Sequence, residues 1–208
     1  MDRLVSAILD GDVAASVSGA ARLREQGVSL EAIVTEHLEA AMATLDAKCT
    51  LEQFNLLEIM LVGRAVMEVM KSLFPSGTPV PARKATVVIA TLEGDVHDLG
   101  KGILKMVLSG NGYGVVDGGR DCPLERLIDI TEKESPLAIG ISGLITPVIP
   151  EVRRIRGLLE ERSLGRVRVM AGGAALKQSS REALAVDFVA ESAFDGVRFL
   201  DRIAGADR

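Results

Sequence analysis

The chain has 208 residues, 48% of them apolar and 25% charged, with a net charge of −5. That is enough apolar material for a core and argues against wholesale disorder. The acidic balance and the few aromatics (five Phe, one Tyr, no Trp) exclude a general phosphate-backbone binder and a stacking groove for single-stranded nucleic acid.

The remaining composition narrows the class further. Cys49 and Cys122 are far apart, and His37 and His97 are the only histidines. No disulfide scaffold, structural zinc site or His-rich metal site can be built from these. The N-terminus shows no signal-peptide pattern, and the longest apolar stretch, 137–150, is too short and too rich in Gly and Pro to span a bilayer. The expectation is a cytoplasmic protein with neither nucleic acid nor membrane as partner.

Residues 1–74 carry helical periodicity. Leu4, Val5, Ile8 and Leu9 form one apolar stripe, and Leu30, Ile33, Val34, Leu38, Met42 and Leu45 another. Ser29 is placed to cap the second, and Gly11-Asp12 and Gly27-Val28 mark breaks. A longer apolar helix follows over 51–74. Four helices packed as a small bundle are expected. The stretch 75–81 holds three Pro and one Gly in seven residues, so neither helix nor central strand survives there. The organisation expected is a helical cap over 1–74, a Pro-rich linker over 75–83 and an α/β domain over 84–208.

Past the linker, short β-branched runs alternate with helices. Strands are expected at 86–90, 114–116, 137–142, 167–170 and 187–189, and helices at 100–109, 123–134, 150–163 and 191–203. Near-continuous apolar strands in β/α alternation imply a doubly wound, five-stranded parallel sheet of flavodoxin or Rossmann-like type. Its ligand belongs beyond the carboxyl ends of the strands. Three segments converge there: Glu93 to Gly100, Ser142 to Pro147, and Ala171-Gly172-Gly173-Ala174.

In the first segment, Asp95 and His97 stand two apart, so their side chains leave an extended chain on one side. A carboxylate holding Nδ1–H leaves Nε2 free for a metal. One His cannot hold a bare ion tightly, but it can be the axial ligand of a metal already held by a macrocycle. The plainer alternative is a helix-capping Asp beside an exposed His. Ser142 and Thr146 offer hydroxyls, or simply bond their own backbone. Gly172-Gly173 lets a ligand touch the main chain, or is an ordinary strand-to-helix turn. The run 110–114 precedes a strand, so it reads as a helix-ending turn and not a phosphate loop.

Asp95-Val96-His97-Asp98-Leu99-Gly100, followed by Ser142-Gly143-Leu144 and Gly172-Gly173, resembles the cobalamin-binding signature Asp-x-His-x-x-Gly…Ser-x-Leu…Gly-Gly. The helical half looks like the cap of methionine synthase, and the layout like the corrinoid methyl-carrier proteins of methanol, methylamine and methoxy-aromatic methyltransferase systems. The resemblance implies that His97 binds the cobalt of a cobalamin from below in place of the cofactor's own base. It implies that Asp95 bonds the other ring nitrogen, with Val96 and Asp98 beside them and Gly94 and Gly100 keeping the backbone close to the corrin. Ser142, Leu144 and Thr146 would line the channel for the displaced nucleotide tail, which would pass Gly172 and Gly173. Leu56, Met60 and Gly63 would face the upper side, the alternative being ordinary bundle packing.

The implied function is a methyl carrier, with methylcobalamin as the loaded state. One partner would be a substrate-specific methyltransferase, and the other an acceptor methyltransferase that depends on tetrahydrofolate or a thiol. A corrinoid reductive activator would complete the set. A cobalamin-dependent sensor is the alternative, lowered by the lack of a basic recognition helix; a mutase small subunit would not need such a cap. Two departures stand out. Val148 occupies the place of the serine that extends the Asp–His pair in methionine synthase, so either Asp95 meets water or another donor or proton coupling to His97 release is weaker. Leu56-Leu57-Glu58 stands where the cap usually reads Phe-x-Pro.

Overall fold

The computed structural model describes residues 2–49, 56–75 and 84–206. The Pro-rich linker beyond Pro75 and the first residues expected in the fourth helix, 51–55, lie outside the described residues. The chain divides into two compact units, Met1–Thr78 and Pro79–Arg208.

The first unit is helical: α1 (Arg3–Leu9), α2 (Val13–Glu25), α3 (Leu30–Ala32) running through a π-helical turn (Ile33–Leu38) into α4 (Glu39–Cys49), and α5 (Leu56–Leu73). Local chemistry starts each of the first three. The Asp2 and Asp12 carboxylates accept from the Leu4 and Ala15 amides at 2.8 and 2.9 Å, and Ser29 Oγ accepts from Ala32 at 3.0 Å, meeting donors that a helix start leaves unpaired. The π turn was not foreseen. There the Glu39 N–H reaches back to the Val34 carbonyl, the wider pitch that marks a π-bulge. Leu4, Ile8, Ile33, Val34 and Leu38 are buried, as the first two stripes predict, whereas α5 buries Val62, Ala65, Val66, Val69 and Met70 and leaves Leu57, Met60 and Leu61 exposed.

The second unit is a parallel sheet: β1 (Thr86–Ala90), β2 (Gly114–Asp117), β3 (Ala138–Ser142), β4 (Arg168–Gly172) and β5 (Phe188–Ala190), in the order β2-β1-β3-β4-β5. The three interior strands have five residues each, whereas β2 has four and β5 three. Connecting them are α6 (Leu99–Gly110), α7 (Leu124–Glu134), α8 (Ile149–Glu161) and α9 (Arg181–Leu184), and α10 (Ala193–Ala206) follows β5. Val88, Ala90, Ile139, Ile141, Val169 and Ala171 pack with Leu127, Ile128, Val152 and Ile155 on one face. On the other, Gly140 leaves room for Met170, Ile89 and Leu104.

The expected boundaries of β2, β3 and β5 shift by a single residue, and β4 needs a larger correction. β4 extends two residues further than the β-branched run, so Ala171 and Gly172 end the strand and the loop begins at Gly173. The cause is pairing: Ala171 and Gly172 stand opposite Ile141 and Ser142 on one side and Val189 and Ala190 on the other. The short helix α9 and the 3-10 turns Thr146–Val148 and Leu176–Gln178 were also not foreseen.

At the end of β2, the Asp117 carboxylate takes the buried Lys101 ammonium at 2.5 Å, Lys105 at 3.3 Å and the Gly119 amide at 3.0 Å. Burial pushes this carboxyl up, but the Lys101 contact and the other donors outweigh it, and its pKa lies below the ordinary value. A carboxyl depressed on folding contributes stability that is complete above its unfolded pKa, about 3.9, and lost as the pH falls through the folded value. Asp117→Asn should therefore make the loss of stability in acid less steep, read by urea unfolding as a function of pH. Ile139→Ala, in the centre of the sheet, should cost roughly 2–5 kcal/mol by the same method.

Candidate functional site

Because β1 is flanked by β2 on one side and β3 on the other, the chain reverses its winding direction between β1 and β3. A crevice opens at the carboxyl ends of such a pair. The segments that leave β1 and β3 there are those carrying Asp95 and His97 on one side and Leu144 on the other.

The loop after β1 is tied down through main-chain groups, two of them bonded to side chains. Thr91 is fully buried and its hydroxyl donates to the His97 carbonyl at 3.3 Å. The Gly94 N–H donates to Asp121 Oδ1 at 2.8 Å, and the Asp121 N–H returns a bond to the Asp95 carbonyl at 3.1 Å. Gly94 has φ +88 with open space where a Cβ would stand, a turn that suits glycine and leaves the backbone accessible. These ties fix the chain on both sides of Asp95.

Asp95 has no solvent exposure. Its Oδ1 accepts from the His97 main-chain N–H at 3.0 Å and meets the imidazole Nδ1 at 2.7 Å. Its Oδ2 accepts from the Leu144 N–H at 2.7 Å, across the crevice. Burial pushes the carboxyl up, but the Leu144 and His97 amides and the imidazole more than compensate, so it lies below the ordinary carboxylate range. An ionised carboxylate can only accept, so Nδ1 carries the proton of the neutral ring and Nε2 keeps its lone pair. The His97 side chain is 51% exposed. The result is an oriented, basic nitrogen facing out from a rigid base.

Around it lie two exposed apolar side chains, Val96 at 56% and Leu144 at 38%. Asp98 is exposed, its carbonyl accepting from Gly102 at the start of α6 while its side chain makes no capping bond. Thus the capping role that the sequence allowed for this Asp is not taken up. Gly100 stands with its Cβ position 3.5 Å from Ser142 Oγ, which joins those two expected residues at the β3 end. Thr146 is exposed on the following 3-10 turn. For Gly172 and Gly173 the structure supplies a reason other than a ligand. A Cβ on Gly172 would meet the Ala190 carbonyl at 3.3 Å, and one on Gly173 the Gly143 carbonyl at 2.5 Å. Leu56 and Met60 belong to the helical unit, where they are exposed near the start of α5, with Gly63 half-buried beyond them.

The missing serine is answered by the Leu144 amide. Val148 is buried, and Asp95 meets a main-chain donor instead of a hydroxyl. Thr91, Asp121 and Gly143 are the parts of the site that sequence reasoning did not select. Only Gly143 carried a signal, as the middle residue of Ser142-Gly143-Leu144. Among the described residues, no group of three or more His, Cys, Asp or Glu could hold a metal ion. A single oriented imidazole in an apolar surround fits instead a metal whose other ligands come with a flat macrocycle. A separate groove lies along β5, lined by Lys177, Arg181, Asp187, Phe188, Phe199 and Arg202.

Comparison with known proteins agrees with this geometry. The B12 binding domain matches residues 85–198, and the chain belongs to that family, whose cofactor is a cobalamin. Dimethylamine corrinoid protein 1 of Methanosarcina acetivorans is 36% identical over 134 residues, 64% of this chain and 62% of that one, so the matched part is less than two thirds of that relative's length. The monomethylamine corrinoid protein of Methanosarcina barkeri is similar in structure, with a TM-score of 0.79, 25% identity and 96% of both chains covered. The methanol:cobalamin methyltransferase complex from Methanosarcina barkeri matches at a TM-score of 0.56 and 28% identity, over 98% of this chain and 78% of that one. No helix among the described residues is long and apolar enough to cross a membrane.

If the Gly94 turn fixes the approach to Asp95, Gly94→Ala should cost about 1–2 kcal/mol from its positive φ alone, seen as a lowered urea midpoint with an unchanged slope.

Proposed function

We propose that this protein is the corrinoid-carrying component of a methyltransferase system. It would take a methyl group from a substrate-specific methyltransferase and present it to a second one whose acceptor is a tetrahydrofolate or a thiol, with a reductive activator restoring the cofactor after oxidation. The observation that carries this reading is the buried Asp95 joined to a half-exposed His97 at the switch point of a B12-binding domain.

When bound, the corrinoid supplies the methyl-accepting and methyl-donating chemistry. The chain supplies the setting. His97 would offer Nε2 to the cobalt, with Asp95 holding the Nδ1 proton so that this tautomer persists. Val96 and Leu144 give an apolar surface for a flat ring, Gly94 and Gly100 keep the main chain from obstructing it, and Asp98 lies at its margin. Ser142 and Thr146 would offer hydroxyls at the β3 end to the nucleotide part of the cofactor, beside Gly172 and Gly173.

The test is the visible spectrum of the protein reconstituted with methylcobalamin, compared with His97→Ala. A histidine-dependent spectrum that is lost in the variant is expected; identical spectra would remove His97 as ligand. Asp95→Ala should weaken corrinoid binding by roughly 10–100-fold, measured by titration of the cofactor-free protein. The carrier role itself is read by following a labelled methyl group from the donor methyltransferase to the acceptor in the presence and absence of this protein.

A further inference from the structure

One peptide group touches all three loops of the site. The Gly143 carbonyl accepts from the Ala175 N–H at 3.2 Å, in the segment after β4. The N–H of the same peptide group, that of Leu144, donates to Asp95 Oδ2 at 2.7 Å, in the segment after β1. A trans peptide is planar, with its C=O and N–H pointing in opposite directions. Whatever holds the carbonyl therefore aims the N–H.

The hold is tight. The Gly143 N–H also donates to the Gly172 carbonyl at 2.9 Å. Gly173 has φ +97, and a Cβ there would lie 2.5 Å from the Gly143 oxygen and 3.0 Å from its nitrogen. On its other side, a Cβ on Gly143 would lie 2.9 Å from Leu176 Cγ and 3.1 Å from Val148 Cγ2. The two glycines are thus pressed backbone to backbone, with no room for a methyl group on either. The buried Val148 side chain forms part of the wall.

We propose that Gly173 is a positioning residue for His97. By seating the segment after β4 directly on the Gly143–Leu144 peptide, it aims the Leu144 amide at Asp95, and Asp95 in turn sets the tautomer and direction of the imidazole. The Gly-Gly pair then serves the lower ligand through the protein's own backbone. The inference rests on reading His97 as the axial ligand, but its first readout needs no cofactor.

The test uses the full chain with 15N-labelled histidine and leucine. In one variant Leu144 is replaced by its α-hydroxy acid, which exchanges the amide for an ester and deletes only the N–H. The others are Gly173→Ala and, as a control, Gly172→Ala, whose Cβ would face Ala190 and not Gly143. Long-range 1H–15N spectra of the cofactor-free proteins report the His97 tautomer. The expected result is a single Nδ1–H tautomer in the unaltered chain and in Gly172→Ala, and its loss in the ester and in Gly173→Ala. Cobalamin affinity should fall about 10-fold in the ester. An unchanged tautomer in the ester overturns the proposal, and so does a folded Gly173→Ala whose Leu144 amide and His97 signals are unmoved. Should Gly173→Ala not fold, the ester alone decides. If the unaltered chain binds no cobalamin while the ester still shifts the tautomer, the functional reading fails and the positioning role stands.

Discussion

A carboxylate taken wholly out of water must have its lone pairs met, or folding is opposed by several kilocalories. Asp95 satisfies that demand with three N–H groups, two from His97 and one from Leu144. Much of the site follows from this requirement. The loop after β1 must curl so that a residue's own second neighbour turns its amide and ring inward. The loop after β3 must come close enough to lend a main-chain donor. The two loops meet only because β1 and β3 are adjacent in the sheet.

The donor set also has a chemical character. A serine in the relay could exchange a proton with its surroundings, whereas an amide N–H keeps its proton throughout the ordinary pH range. With Val148 in the serine's place, the outer end of the Asp95–His97 pair is fixed and does not titrate. The Leu144 amide thus helps to orient the carboxylate that in turn holds the imidazole.

Much of this was legible in the sequence because it depends on periodicity and short spacing. Apolar β-branched runs gave the parallel sheet, helical stripes gave buried positions in the first helices but not the buried face of α5, and the Asp95–His97 separation gave the pair. What could not be read depends on contacts between distant segments. The extension of β4 through Gly172 comes from its neighbours in the sheet. The role of Thr91 comes from a hydroxyl at the end of an apolar run, with nothing in the sequence to mark its partner. The Leu144 amide is a main-chain group, which any residue at that position would also carry. Likewise, Gly172-Gly173 invites a ligand-based explanation until the Gly143 backbone is seen filling the space beside it.

The sheet narrows at both margins, to four residues in β2 and three in β5. An outer strand presents unpaired main-chain donors and acceptors, and long ones recruit other chains into continuous, insoluble ribbons. Here each rim offers a stranger only a few such groups, and the β5 rim passes at once to Glu191, an acidic residue. Short rims of this kind limit edge-to-edge pairing, while the apolar groups Val96 and Leu144 stay exposed near His97.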